Sequence, residues 1–238
     1  MTNQKQTFKS GIWQGWRDGL PFALVVAPFG LLFGIVGTEA GLNIYEVMAM
    51  TVLVIAGASQ FTAVALWESN APTIVVLLTS LAVNLRMAMY SAALVPHFRG
   101  APMKLRILAG YAMVDQNFAL MDTKFADDTT SSWETRISYF FGVFLCLSPL
   151  WYAFTFIGAV FGTAIPPEYA IDFALPIAFL SLIGPMIRSL PHAICAFSSV
   201  VFALSLAWVP YGLGLLLAAL ISICIASMAE VALERRLK

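Results

Sequence analysis

Charged residues are scarce in this chain of 238 residues: 13 are basic and 13 are acidic, or 11% of the total, whereas 60% are hydrophobic. A soluble domain carries about 25% charged residues, because it has to cover its surface with polar groups. The shortage of charge excludes an ordinary soluble domain and a disordered chain. The composition instead indicates an integral membrane protein.

The chain also lacks a charge excess, with a net charge of zero and two histidines. A nucleic-acid binder needs a basic patch, so we expect no nucleic-acid partner. Cys146, Cys195 and Cys224 lie far apart without CxxC spacing and are interpreted as small apolar residues. We therefore expect no metal and no cofactor. Because the buried polar residues include no nucleophile–base pair, we expect that the protein is not an enzyme.

Apolar runs between charged residues predict about seven or eight helices, since a membrane helix needs about 20 mostly apolar residues. The sequence therefore predicts an all-α integral membrane protein, with residues 1–238 forming a single membrane domain. The runs are 20–38, 46–67, 72–95, 105–121, 137–163, 171–188, 191–209 and 211–230.

Two polar stretches flank or interrupt these runs. Residues 1–19 are amphipathic, and Trp13 and Trp16 next to basic side chains predict an interfacial segment at the membrane surface. The basic character of this segment favours a cytoplasmic N-terminus. Residues 122–136 are predicted to form a polar loop between two halves of the chain.

Proline and glycine predict broken or re-entrant helices, which membrane proteins tolerate where the backbone lines a cavity or is buried in protein. Pro21 and Pro28 lie in the first run, and Pro176 lies in the sixth. Similar short patterns in the two halves suggest a pseudo-repeat, although glycine pairs are also typical of close helix packing. Two such pairs have the same spacing: Gly30-xxx-Gly34 and Gly158-xxx-Gly162.

Two charged residues lie inside apolar runs, Arg86 in the third and Asp115 in the fourth. An unpaired charge there costs at least about 2.5–3.5 kcal/mol, so we expect the two side chains to pair. One interpretation is a fixed ion pair that holds two helices together. The other is functional, with Arg86 anchoring a substrate carboxylate and Asp115 exchanging a proton.

A neutral polar cluster occupies the second run. Gly57 has no side chain, and Ser59 and Gln60 supply donors and acceptors, which predicts a substrate-binding stretch. Asn84, two residues before Arg86 and on a neighbouring face, is a further candidate. The alternative is hydrogen bonding between helices by small polar residues. Three aromatic residues are predicted to line an apolar pocket: Phe29, Phe61 and Tyr90.

Four blocks carry a resemblance to a known family. They are Gly19-Leu20-Pro21, Gly57-Ala58-Ser59-Gln60-Phe61, Asn84-Leu85-Arg86 and the block from Asp115 to Leu120. In this order they resemble the AzlC family, the large subunits of bacterial branched-chain amino-acid exporters. The chain departs from the family pattern at Met87, where a histidine is usual. It also departs in the Asp115 block, where family members are more acidic, so Asp115 is the single carboxylate there.

The resemblance implies a secondary transporter that exports branched-chain or similar apolar amino acids from the cytoplasm, coupled to protons. It also implies a bacterial inner-membrane location and a partner, a small AzlD-like membrane subunit. The alternatives are a channel-like pore, or a structural membrane subunit whose partner carries the activity. On the transporter hypothesis, Asp115 couples protons, and five residues bind substrate: Gly57, Ser59, Gln60, Asn84 and Arg86.

Overall fold

The computed structural model describes residues 2–126, 128, 130–161, 187, 189–209 and 213–237. Within these ranges the chain is helical and contains no strand, which confirms the predicted all-α class. The described helices are α1 (Thr2–Glu39), α2 (Ile44–Val54), α3 (Gly57–Glu68), α4 (Thr73–Leu94), a 3₁₀ turn (Val95–Phe98), α5 (Met103–Tyr111), α6 (Asp115–Phe125), α7 (Trp133–Phe161), α8 (Leu190–Ser205) and α9 (Leu213–Leu237).

Three described helices are long and apolar enough to cross a membrane: Phe8–Glu39, Thr73–Phe98 and Trp133–Phe161. Shorter apolar helices accompany them at Ile44–Val54, Leu190–Ser205 and Leu217–Leu233. These helices are typical of a multi-helix membrane protein, as the composition predicts.

Helix α1 is continuous from Thr2 to Glu39, so the break predicted at Pro21 and Pro28 is wrong. A membrane helix tolerates internal proline when its neighbours satisfy the freed backbone groups, and α1 packs extensively against α7. Residues 2–19 are the start of this helix rather than a separate one, and the rings of Trp13 and Trp16 stack 5.5 Å apart within it.

Glycines bring α1 and α7 into backbone contact. A methyl group at Gly34 would overlap the carbonyl of Thr155, and one at Gly158 would overlap the carbonyl of Leu31. Close packing therefore explains the members of the glycine pairs that the structure describes. Gly162 lies outside the described residues, as does the proline-containing sixth run around Pro176.

The helix breaks lie elsewhere than predicted. The second run divides into α2 and α3 at Ile55, whose φ of 44° and ψ of 43° are left-handed. The fourth run divides into α5 and α6, with residues 112–114 between them. Broken helices therefore occur, but proline does not mark their positions.

The polar stretch at 122–136 is only partly a loop, because α6 continues to Phe125 and α7 begins at Trp133. Between them, the Asp128 carboxylate accepts hydrogen bonds from the backbone amides of Thr130 and Ser131 at 2.8 and 3.0 Å. Hydrogen bonds from Ser131 and Thr130 lower the pKa of Asp128, so this carboxylate stays charged.

The described residues group into two compact units. The first lies within Met1–Val64 and Ser80–Tyr169 and has the α1–α7 pair as its centre. The second lies within Ala65–Thr79 and Ala170–Lys238, where α8 packs against α9. Cys146, in the first unit, is buried, whereas Cys224, in the second, is exposed.

Candidate functional site

Helix α4 has an apolar face and a polar face. Large apolar side chains, each 57–69% exposed, follow one side at three- and four-residue spacing: Ile74, Leu78, Leu81, Leu85 and Met89. At 100° per residue, the polar side chains lie on the opposite half: Ser80, Asn84, Arg86 and Tyr90. The candidate residues of α4 therefore lie on the side of the helix opposite its apolar stripe.

Arg86 forms an ion pair with Asp115, the first residue of α6, with 3.0 Å between Nη2 and Oδ2. The helix break places the carboxylate at the N-terminal end of α6, where the helix dipole stabilises negative charge. The structure thus brings together the two charges expected to pair. Their side chains remain 35% and 41% exposed, so the pair is open on one side.

Several polar atoms of the pair and of α4 are buried and find no hydrogen-bond partner among the described residues. They are Arg86 Nε, Asp115 Oδ1, Asn84 Oδ1 and Ser80 Oγ. Buried polar atoms are almost always hydrogen-bonded in proteins. One donor (Arg86 Nε), two acceptors (Asp115 Oδ1 and Asn84 Oδ1) and one hydroxyl (Ser80) therefore have unused hydrogen-bonding capacity.

Aromatic stacking continues the contact between α4 and α6. The rings of Tyr90 and Phe118 lie 4.2 Å apart and within 9° of parallel. Tyr90 lies one turn beyond Arg86, and Phe118 lies one turn beyond Asp115, so the stack and the ion pair occupy successive turns. The stack fixes how the two helices face each other.

The break between α2 and α3 is satisfied by its own side chains. Gln60 is 1% exposed, accepts a hydrogen bond from the Ala56 amide at 3.2 Å and donates one to Thr51 Oγ1 at 3.4 Å. Ser59 Oγ donates to the Ala56 carbonyl at 2.9 Å. These bonds account for the burial of both polar side chains, and a substrate-binding role for them stays a prediction.

Aromatic rings pack around the start of α3. The rings of Phe29 and Phe61 lie 4.9 Å apart, and that of Trp151 lies 5.8 Å from Phe29. A methyl group at Gly57 would lie 2.7 Å from the Phe29 ring. Of the three aromatic residues predicted to line one pocket, Phe29 and Phe61 pack together, and Tyr90 stacks on Phe118.

The second helix break depends on Asn117, which the sequence reasoning did not single out. This residue is fully buried, and its Nδ2 donates to the carbonyls of Ala112 and Phe140 at 3.0 and 3.5 Å. The sequence signal that could have identified Asn117 is its amide side chain, which lies inside an apolar run two residues after Asp115. Asn117 therefore supports the chain bend that presents Asp115 to Arg86.

A second charged cluster was also missed. Asp18 Oδ2 accepts hydrogen bonds from Lys124 Nζ at 2.8 Å and from Tyr139 Oη at 2.9 Å. Asp18 lies within α1, well past the start of that helix. Because Arg17 is adjacent to Asp18 in sequence and offers an opposite charge, nothing in the sequence indicates that Asp18 pairs with a distant residue.

These features define a membrane protein with broken helices and an ion pair between two of them. A family model described as AzlC protein matches residues 21–165. The chain belongs to the AzlC family. This stretch contains the Arg86–Asp115 pair and both helix breaks, and family membership supports a role related to membrane transport.

Relatives carry membrane-protein descriptions. The chain is similar to the inner membrane protein YgaZ of Escherichia coli (strain K12), with 24% identity over 81% of this chain and 79% of the relative. It is also similar to an uncharacterized membrane protein of Helicobacter pylori (strain ATCC 700392 / 26695), with 27% identity. That match covers 46% of this chain and about half, 49%, of the relative. No solved structure matches the chain.

Proposed function

We propose that the protein is a secondary transporter that exports branched-chain or similar apolar amino acids from the cytoplasm, coupled to protons. The observation that carries this proposal is the ion pair of Arg86 and Asp115, which is open on one side and has two unpartnered atoms of its own, Arg86 Nε and Asp115 Oδ1. Ionisable residues within membrane segments characteristically belong to substrate paths and proton relays. A static pair that only joined two helices would be expected to have its hydrogen bonds satisfied.

The proposed cycle uses competition for Arg86. When Asp115 is charged, the amino acid inserts into the pair: its carboxylate takes the place of Asp115 on Arg86, and its ammonium group binds the Asp115 carboxylate. When Asp115 takes up a proton from the periplasmic side, it no longer holds the ammonium group and the substrate leaves. Loss of the proton to the cytoplasm restores the original pair. Guanidinium suits this exchange because it binds either carboxylate through paired donors.

The remaining candidate residues would hold the rest of the substrate. Asn84, on the polar half of α4, has an unpartnered acceptor for the ammonium group. In this proposal the α3 start at Gly57, with Ser59 and Gln60, also contributes polar contacts, and Phe29, Phe61 and Tyr90 contact the apolar side chain. Apolar contact alone discriminates by about 1–3 kcal/mol per methylene, so closely related aliphatic amino acids would share the transporter.

The partner in this proposal is a small AzlD-like membrane subunit. In the most apolar part of Thr73–Phe98, 6% of residues are buried within the chain. A partner helix on α4 could cover the apolar stripe and limit lipid access to the Arg86–Asp115 pair. We place the complex in a bacterial inner membrane with the N-terminus of this chain in the cytoplasm.

Counterflow of radiolabelled leucine in proteoliposomes tests the proposal. The purified chain is reconstituted with and without the small co-encoded subunit, and uptake into leucine-loaded vesicles is measured across a range of pH. We expect saturable, pH-dependent exchange in the presence of the subunit. Asp115→Asn is expected to lower the pH-driven component at least about fivefold, the lower end of ordinary coupling between sites.

Matched variants control for the loss of one charge. Asp122→Asn changes an exposed carboxylate on α6, and Arg99→Met changes an exposed arginine after α4, so both are expected to transport normally. Normal pH-driven efflux in Asp115→Asn would rule out the coupling role. Unsaturable flux would instead favour a channel, and leucine binding by the small subunit alone would favour a structural role for this chain.

A further inference from the structure

The cluster of Asp18, Lys124 and Tyr139 joins three helices of the first unit. Asp18 lies on α1, Lys124 near the end of α6 and Tyr139 on α7, and both partners donate to the same carboxylate oxygen. Lys124 Nζ also lies 4.3 Å from the centre of the Tyr139 ring, which adds a cation–π contact. Tyr139 is 1% exposed, so this cluster is built on a buried side chain.

Helix α6 carries one ion pair at each end. Asp115 is its first residue and binds Arg86 of α4, whereas Lys124 is in its last turn and binds Asp18 of α1. At 1.5 Å per residue, the two charges are about 13 Å apart along the helix. Both charge signs agree with the helix dipole.

Between its charged ends, α6 is held by one buried face. Asn117, Met121 and Phe125 recur at every fourth residue and are the buried members of this helix. An isolated helix of 11 residues is only marginally stable, so tertiary contacts determine its position. Residues 112–114, which precede Asp115, are non-helical, so α6 is not a continuation of α5 and its orientation is not fixed by α5.

We propose that Asp18, Lys124 and Tyr139 form a positioning site that holds the far end of α6 and thereby keeps Asp115 facing Arg86. The inference rests on the proposed function, because it assigns to Asp18 an indirect effect on the coupling carboxylate. When Lys124 loses Asp18, α6 rotates on its buried face, and the contact between Asp115 and Arg86 changes. Tyr139 supports the arrangement by orienting the Asp18 carboxylate.

The first experiment requires no substrate. Ala119→Cys introduces a thiol at an exposed position on α6, in a chain whose three native cysteines are replaced by alanine, and its labelling by a maleimide is timed in membrane vesicles. We expect Asp18→Asn and Lys124→Met each to change the labelling rate at least about threefold, the scale of coupling between contacting residues. Asp18→Glu, which keeps a carboxylate to accept from Lys124 and Tyr139, is expected to keep the original rate, and Asp122→Asn to leave it unchanged.

The second experiment measures the pH profile of leucine exchange, normalised to folded protein. We expect Asp18→Asn to move the midpoint by about half a pH unit or more, and Asp18→Glu to restore it, because a changed Arg86 contact alters proton binding at Asp115. A merely structural role would reduce the amount of folded protein and leave the midpoint in place.

The two experiments separate the two proposals. Unchanged labelling in both single variants, or labelling of Asp18→Glu as altered as that of Asp18→Asn, would overturn the positioning role. An unmoved midpoint in Asp18→Asn, with wild-type exchange present, would overturn it as well. If wild-type protein exchanges no amino acid while the labelling follows the expected pattern, the proposed substrate fails and the role of the cluster in holding α6 stands.

Discussion

The two helix breaks of the first unit differ in how their polar groups are satisfied. At the α2–α3 break, Gln60 bonds to the Ala56 amide and to Thr51, and aromatic rings close the surroundings. At the α5–α6 break, Asn117 satisfies the Ala112 carbonyl, but the neighbouring Asp115 and Arg86 keep unpartnered atoms and stay about one-third to two-fifths exposed. The first, sealed break uses its polar side chains to hold the chain, whereas the second, open break leaves charged groups with unused hydrogen-bonding capacity.

The largest expected effect comes from breaking the open site. Arg86→Met or Asp115→Asn alone leaves one charge without its partner; we expect a loss of about 2–3 kcal/mol in unfolding free energy, below the ~3–5 of a fully buried pair because both side chains are partly exposed. The double variant should recover to within about 1 kcal/mol of wild type. Leucine exchange should be lost in the two variants that lack Arg86, and its pH-driven component should fall at least about fivefold in Asp115→Asn. Thermal unfolding in detergent, followed by tryptophan fluorescence, measures the stability.

A double variant as unstable as the sum of the two single variants would contradict this ion-pair account. The two charges would then contribute independently to stability, and the coupling free energy between them would be zero despite their contact.

Gln60→Leu tests the sealed break. The change leaves the buried Ala56 amide without an acceptor, and we expect a loss of about 2 kcal/mol in stability. Thr62→Val is the matched control: its hydroxyl donates within its own helix, to the Ala58 carbonyl, so its loss should cost less than about 1 kcal/mol. The pH midpoint of exchange should be the same in both variants. A shifted midpoint in Gln60→Leu would mean that this break takes part in coupling.

Gly57→Ala tests the aromatic packing at the same break. The added methyl group would lie 2.7 Å from the Phe29 ring, so we expect overpacking that costs about 1–2 kcal/mol. Gly110→Ala is the control, since a methyl group there has nothing within 4 Å and should stabilise α5 by about 0.5–1 kcal/mol. Phe29→Leu in the Gly57→Ala background should recover part of the loss. Equal stability of the two alanine variants would argue against tight packing at Gly57.

Tyr90→Phe is expected to have the smallest effect. The ring that stacks on Phe118 is retained, so stability should change by less than about 0.5 kcal/mol. Tyr90→Ala should lose about 1–2 kcal/mol, below the ~3–5 of a fully buried aromatic ring, because Tyr90 is only partly buried. Thermal unfolding of the two variants provides the measurement. A large loss in Tyr90→Phe would show that the hydroxyl, rather than the ring, joins α4 to α6.

The first and last residues of a helix were predictable where the length of an apolar run alone determined them. The run at 72–95 became α4, Thr73–Leu94, because charge and proline bound it on both sides. Breaks were not predictable, because they depend on partners distant in sequence. Pro21 and Pro28 suggested a break, but α1 stays helical along α7, whereas Ile55 gave no signal and adopts a left-handed conformation.

The candidate site was predictable in part for the same reason. Arg86 and Asp115 were conspicuous as charges inside apolar runs, and each is the obvious partner of the other. Asp18 was overlooked because it precedes the apolar run at 20–38, and its partner Lys124 was assigned to a loop. Only the tertiary packing of α6 brings Lys124 to α1.

The glycine contact between α1 and α7 has a consequence for biosynthesis. Roughly 90 residues separate the end of α1 from the start of α7, and at about 5–20 residues per second their synthesis takes several seconds. During that time the glycine face of α1 has no α7 to pack against. A ribosome that stalls before Trp133 therefore leaves α1 in the membrane as an incomplete folding intermediate, exposed to other helices with small residues and to membrane proteases.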